Sequence, residues 1–109
     1  MKYGAIFSVD VYDFDRETGE TIMTRPSDYI QMQLWGAKQD AKAMPEGVRD
    51  LLNNYAIVYF ALKRQGRLSD YGVEDGPLSA ETLEGLSERV SVYVSYVGED
   101  DLPMKAQKK

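Results

Sequence analysis

Neither cysteine nor histidine occurs among the 109 residues. Without cysteine there can be no disulfide and no thiolate nucleophile. Without histidine the commonest general base near neutral pH is missing, and so is the Ser-His-Asp triad. With both absent, a zinc or iron site would have only carboxylates to draw on. No phosphate-binding glycine loop of the P-loop or dinucleotide type is present. Nor does any apolar run reach the roughly 18 residues that a membrane span requires. The start, Met1-Lys2-Tyr3-Gly4, lacks the apolar core of a secretion signal, so the expected location is the cytoplasm. Basic residues are outnumbered: 13 Lys and Arg stand against 18 Asp and Glu, for a formal charge of −5. Nucleic-acid affinity rests on releasing counterions with Lys and Arg, so nucleic acid is not an expected partner.

What is present describes one small folded unit. Hydrophobic residues make up 43% of the chain and charged residues 28%, enough for a single core and too apolar for wholesale disorder. Tyr3, Ala5, Phe7, Val9 and Val11 recur with period two and read as a strand over residues 3–14. Asp15 to Glu20 form a turn, in which Gly19 suits a left-handed position. Thr21 to Thr24 return as a second strand, giving a hairpin over about residues 3–25.

Pro26-Ser27-Asp28 marks a helix start, with Ser27 as the cap, and the helix is expected to run to about Met44. Ile30, Leu34, Ala37 and Ala41 share one face at helical spacing and form the expected core stripe. Trp35 lies on another face among Gln31, Lys38, Gln39 and Lys42, with Met32 beside it. A second helix is expected from about Glu46 to Gln65, with Pro45 in its first turn and Gly66 as its C-terminal cap. Its main apolar face is Val48, Leu51, Leu52, Tyr55, Val58, Tyr59 and Leu62. Ile57, Phe60 and Ala61 make its second half apolar nearly all round, which implies burial on two sides. Lys63, Arg64 and Arg67 are basic residues at its end, where the helix dipole favours them.

A loop follows over residues 67–78, then a short helix from Ser79 to about Ser87 with Leu83 and Leu86 inward. Val90, Val92, Val94 and Tyr96 alternate with Ser91, Tyr93 and Ser95 and read as a strand. Leu83, Leu86, Val90, Tyr93 and Val97 also fit a continued helix, so both readings stay open over 90–97. The expected fold is therefore α+β: an N-terminal β-hairpin, two main amphipathic helices, a short third helix and a C-terminal strand. It fills residues 1–97 as one domain, followed by a disordered polar tail over 98–109.

The acids Asp10, Asp13, Asp15, Glu17 and Glu20 surround the hairpin turn. A calcium loop would need a glycine one position earlier and a closing acid, so a solvated hairpin tip is the expectation and no metal or other cofactor is implied. Trp35 could fill a partner's pocket, since tryptophan is enriched among binding hot spots. The hairpin or the C-terminal segment could equally cover it. Met32, Ile57 and Phe60 share that ambiguity. Together with Lys63 and Arg64 they complete the candidate protein-binding set.

The middle of the chain carries a resemblance. Thr24-Arg25-Pro26-Ser27-Asp28-Tyr29-Ile30 opens one helix. Tyr55-Ala56-Ile57-Val58-Tyr59-Phe60-Ala61-Leu62-Lys63-Arg64-Gln65-Gly66 closes the next, and Leu83 to Val90 follow after a loop. Over about residues 20–92 the chain resembles the tail assembly chaperones of siphovirus-type phages and prophages. It departs from them in having more sheet and in the small Ser87 at the end of its third helix. The resemblance implies a non-enzymatic protein that coats the tape measure protein, helps recruit tail tube subunits and leaves before the virion is finished. It is also compatible with a homo-oligomer. Two other classes fit the composition: a small structural head-tail connector or tail terminator, and an acidic regulatory binding protein.

Overall fold

A computed structural model describes residues 6–39 and 44–96. Three strands and three helices follow one another in the order β1 (Phe7–Asp13), β2 (Thr18–Met23), α1 (Pro26–Ala37), α2 (Glu46–Arg64), α3 (Ala80–Arg89) and β3 (Val90–Tyr96), with a 3₁₀ turn at Leu68–Tyr71 after α2. The fold is α+β, with the hairpin first and a strand last. β3 returns to pair with β1, so the sheet order is β2-β1-β3, antiparallel throughout. The helical reading of 90–97 therefore gives way to the strand over Val90–Tyr96. A β-branched residue at every second position suits a half-covered sheet. The expected strand residues 3–5 and the polar tail 98–109 lie outside the described residues.

The hairpin tip differs from the sequence expectation. β2 begins at Thr18, opposite Asp13, and Gly19 pairs with Tyr12 inside the ladder. The left-handed residue is Glu17, at φ 56°. Its N–H donates to the Asp13 carbonyl at 2.7 Å. The buried Asp13 carboxylate accepts the N–H groups of Asp15 (2.9 Å) and Arg16 (3.3 Å). This side chain holds the turn, so no glycine is needed there.

The start of α1 also differs. Arg25 occupies the N-cap position in place of Ser27, Pro26 takes the first helical position, and the Asp28 carboxylate reaches back to accept the Arg25 N–H at 2.9 Å. Pro45 stands at the N-cap of α2. At the other end of α2 the cap is as expected. Gly66 is left-handed at φ 69°, Gly66 N–H reaches the Lys63 carbonyl and Arg67 N–H the Leu62 carbonyl, the paired bonds of a Schellman motif. Ser79 caps α3 by accepting the Thr82 N–H at 3.2 Å.

α2 is the central element. From Tyr55 to Leu62 every residue but Phe60 is buried, and Phe60 packs partly buried against the same cluster. Val9, Val11 and Ile22 from the sheet, Leu83 and Leu86 from α3, and Leu68 and Tyr71 from the 3₁₀ turn complete the core. The sheet turns its other face outward, where Asp10, Tyr12, Thr21, Ser91 and Tyr93 are exposed.

Candidate binding surface

The way α1 lies on α2 decides which apolar residues remain available. Asp28 is buried, and its carboxylate accepts from Arg64 Nη2 at 2.8 Å and Nε at 3.1 Å. Arg64 also reaches the Met23 carbonyl at 3.5 Å. The Asp28 carboxylate holds the guanidinium of Arg64 still further from neutrality than usual. A buried carboxylate must meet its partner, so the face of α1 carrying Asp28 has to point at α2. At 100° per residue that same face carries Met32, Trp35 and Gly36. The opposite face carries Ile30, Leu34 and Ala37.

The expected core stripe of α1 is accordingly turned outward. Ile30 is 55% exposed and Leu34 57%, whereas Met32 is 8% exposed. Two members of the expected contact set are thereby corrected. Met32 and Ile57, the latter 2% exposed, belong to the core and offer no contact surface. Arg64 is spent on Asp28. Trp35 is partly buried against the core. Its indole N–H donates to the Leu78 carbonyl at 3.2 Å. What covers it is thus the segment before α3, in place of the hairpin or the C-terminal strand. Phe60 packs edge-on against Tyr59, and Lys63 pairs at the surface with Asp75 at 3.3 Å. The structure does bring Phe60, Lys63 and Arg64 together with Ser27, Asp28 and Gln31 around one shallow groove of 280 Å³. Trp35 and Met32 line a separate depression of 250 Å³ between the end of α1 and the start of α2.

The solvent-facing apolar residues are others. Ile30 and Leu34 stand on α1, Val48 and Leu51 on the first half of α2, Tyr12, Tyr93 and Tyr96 on the sheet, and Phe14 at the hairpin turn. The periodicity that marks Ile30 and Leu34 is visible in the sequence. What it lacks is the direction of that face, which the Asp28–Arg64 pair sets.

Asp10, Asp13, Asp15 and Glu20 around the hairpin all have partners in this chain. Asp13 meets Arg89 at 3.3 Å, and Asp10 accepts from the Thr21 hydroxyl at 2.7 Å. Glu20 takes Arg67 in a two-pronged pair at 2.6 and 3.0 Å and accepts from the Tyr71 hydroxyl. Burial pushes the Asp13 carboxyl up, but Arg89 and the two turn N–H groups outweigh it and leave the group below its ordinary value. Arg67, foremost, holds Glu20 below the usual carboxylate range against its burial. Among the described residues no three metal-ligating side chains converge, and every buried side-chain polar atom has a hydrogen-bond partner. No helix among them is long and apolar enough to cross a membrane. Comparison with family models, curated proteins and solved structures finds no match to this chain.

Proposed function

We propose that this chain is a non-enzymatic protein-binding module that acts as a phage tail assembly chaperone in the host cytoplasm, holding the tape measure protein and tail tube subunits until the tail forms. The observation that carries the reading is the outward stripe of α1. Ile30 and Leu34 lie one turn apart, each more than half exposed, on a short helix whose opposite side is fixed to the core. A client made of long apolar helices can lay its own stripe along such a face, as helix-in-groove partners do. The net charge of −5 keeps the loaded complex soluble. The resemblance adds the identity of the client. The two stretches that carry it, the Arg-Pro-Ser-Asp helix start and the Leu-Lys-Arg-Gln-Gly helix end, are joined through Asp28 and Arg64.

The test is co-expression with a tape measure protein from a siphovirus-type tail. An Ile30→Glu, Leu34→Glu double variant should keep its helical circular dichroism, since both side chains already face water. It should leave the tape measure protein insoluble, whereas the parent chain keeps it in solution. Equal solubility with both chains would remove the α1 stripe as the client site.

A further inference from the structure

The two edges of the sheet are treated differently. On the β2 edge, Arg64 reaches the Met23 carbonyl and Arg67 clamps Glu20, so two arginines lie across it. On the β3 edge no further strand pairs among the described residues. Its seven residues, Val-Ser-Val-Tyr-Val-Ser-Tyr, include no charge, no proline and no glycine. Edges are normally blunted by such features, and an edge without them is a template for another strand.

The hydrogen-bond phase shows which residues face outward. Phe14 N–H donates to the Arg89 carbonyl at 2.8 Å. In an antiparallel ladder bonded pairs alternate with non-bonded ones. With the observed register, Ser91, Tyr93 and Ser95 therefore bond to β1, and Val90, Val92 and Val94 turn their backbone groups away from it, Val90 itself being fully buried. The Tyr55 hydroxyl confirms the phase by donating to the Val90 carbonyl at 2.8 Å from outside the sheet. α2 thus leaves the sheet at the β3 edge. The residues of α2 that precede Tyr55 on the same stripe, Val48 and Leu51, stay about half exposed. They lie two turns and one turn before Tyr55, the residue of α2 that reaches the β3 edge.

The sequence of β3 is close to a palindrome about Tyr93. Val92 mirrors Val94 and Ser91 mirrors Ser95. We propose that β3 is a self-association edge, where a second copy of this chain pairs antiparallel about a two-fold axis at Tyr93 to form one six-stranded sheet. In that register Val92 stands opposite the partner's Val94, and the two pairs related by the axis exchange four backbone hydrogen bonds. Ser91 meets the partner's Ser95. Tyr93, 69% exposed, lies against its own copy on the open face, an aromatic cross-strand pair. On the helix side the incoming strand slides under Val48 and Leu51. An uncharged strand meeting its own copy incurs no like-charge repulsion, although each chain carries −5. The Tyr55 hydroxyl also meets the Val92 N–H, so pairing must exchange two bonds that Tyr55 makes along this edge, one to Val92 and one to the Val90 carbonyl. This inference does not depend on the chaperone reading.

The test measures mass in solution and amide exchange on the full chain. Sedimentation equilibrium should give a dimer. Val94→Pro removes an outward N–H and none of the bonds to β1, so it should be monomeric with unchanged circular dichroism. Leu51→Glu should weaken the dimer about tenfold, the loss of one apolar contact of roughly 1.4 kcal/mol. Val92 and Val94 amides should exchange faster on dilution, whereas Ser91 and Tyr93 amides, bonded within the chain, should not. A parent chain monomeric up to about 1 mM, where association would be no stronger than −4.1 kcal/mol, overturns the proposal. So does a Val94→Pro variant that remains a dimer. If that variant fails to fold, concentration-independent exchange at Val92 and Val94 is the overturning result.

Discussion

The Asp28 carboxylate and the Arg64 guanidinium, 36 residues apart in sequence, meet at 2.8 Å beneath the first turn of α1. This contact fixes α1 twice over. The same carboxylate closes the helix start by accepting the Arg25 N–H, and it anchors the helix to the end of α2. Losing one partner of a largely buried pair leaves an uncompensated charge behind. Asp28→Ala is expected to destabilise the chain by about 3 kcal/mol, at the low end for such pairs because Arg64 keeps one side in water. Asp28→Leu combined with Arg64→Met should recover most of that loss, since apolar replacement of both partners removes the stranded charge. Urea titrations of the three chains check this. Similar losses in Asp28→Ala and the double variant would place the whole effect in the cap.

How far the sequence could be read follows from the same pair. Period-two alternation in Phe7–Asp13, the apolar second half of α2 and the Gly66 cap announce themselves locally, whereas Val90–Tyr96 fits a strand and a continued helix alike and only its pairing with β1 decides between them. The facing of α1 could not be read locally. Its apolar residues lie on both sides, Ile30 and Leu34 on one and Met32 and Trp35 on the other, and periodicity pointed to the Ile30 and Leu34 side as the core, the side that faces water. The long-range ion pair chose between the two sides. Glu17 was missed for a related reason. Gly19 is the residue that a left-handed turn position would prefer, but the Asp13 side chain shaped the turn two residues earlier.

Acid should unfold the protein through its paired carboxylates. Asp13 and Glu20 both sit below their ordinary values of 3.8 and 4.5 in the folded chain. A depressed folded value means that the unfolded chain binds protons first as pH falls. The stability these groups contribute is therefore fully present above about pH 5 and lost as pH drops through and below 4. Melting temperatures between pH 7 and pH 3 should fall, and Glu20→Gln should flatten part of that slope while lowering the plateau. A slope unchanged in Glu20→Gln would assign the acid sensitivity to other carboxylates.

At the alkaline end the controlling group is Tyr71. Burial, followed by its hydrogen bond to the Glu20 carboxylate, pushes its phenol up from 10.0 to about 12. The folded chain thus holds this proton longer than the unfolded chain does, and the linked stability is complete below pH 10 and lost between about 10 and 12. Absorbance at the phenolate band should show Tyr71 titrating late. Tyr71→Phe should remove that late phase and part of the alkaline loss in melting temperature. A late phase that survives in Tyr71→Phe would belong to Tyr55, whose phenol is also raised by burial.

Trp35 is the single tryptophan of the chain, so its emission reports one place. That place is the contact of α1 with the segment before α3, made by the indole N–H and the Leu78 carbonyl. Trp35→Phe keeps an aromatic ring but forfeits the hydrogen bond, for an expected loss of about 1 kcal/mol. Trp35→Ala also removes the ring from the half-buried site and should cost about 2–3 kcal/mol, less than the 3–5 kcal/mol of a fully buried aromatic. In the parent chain the emission should be blue-shifted against the unfolded state. A Leu78→Pro change, which shifts the carbonyl by altering the backbone at that residue, should move it towards red with the circular dichroism of the sheet intact. Solvent-like emission from the folded parent would mean that the indole stands clear of Leu78 and is free to meet a partner.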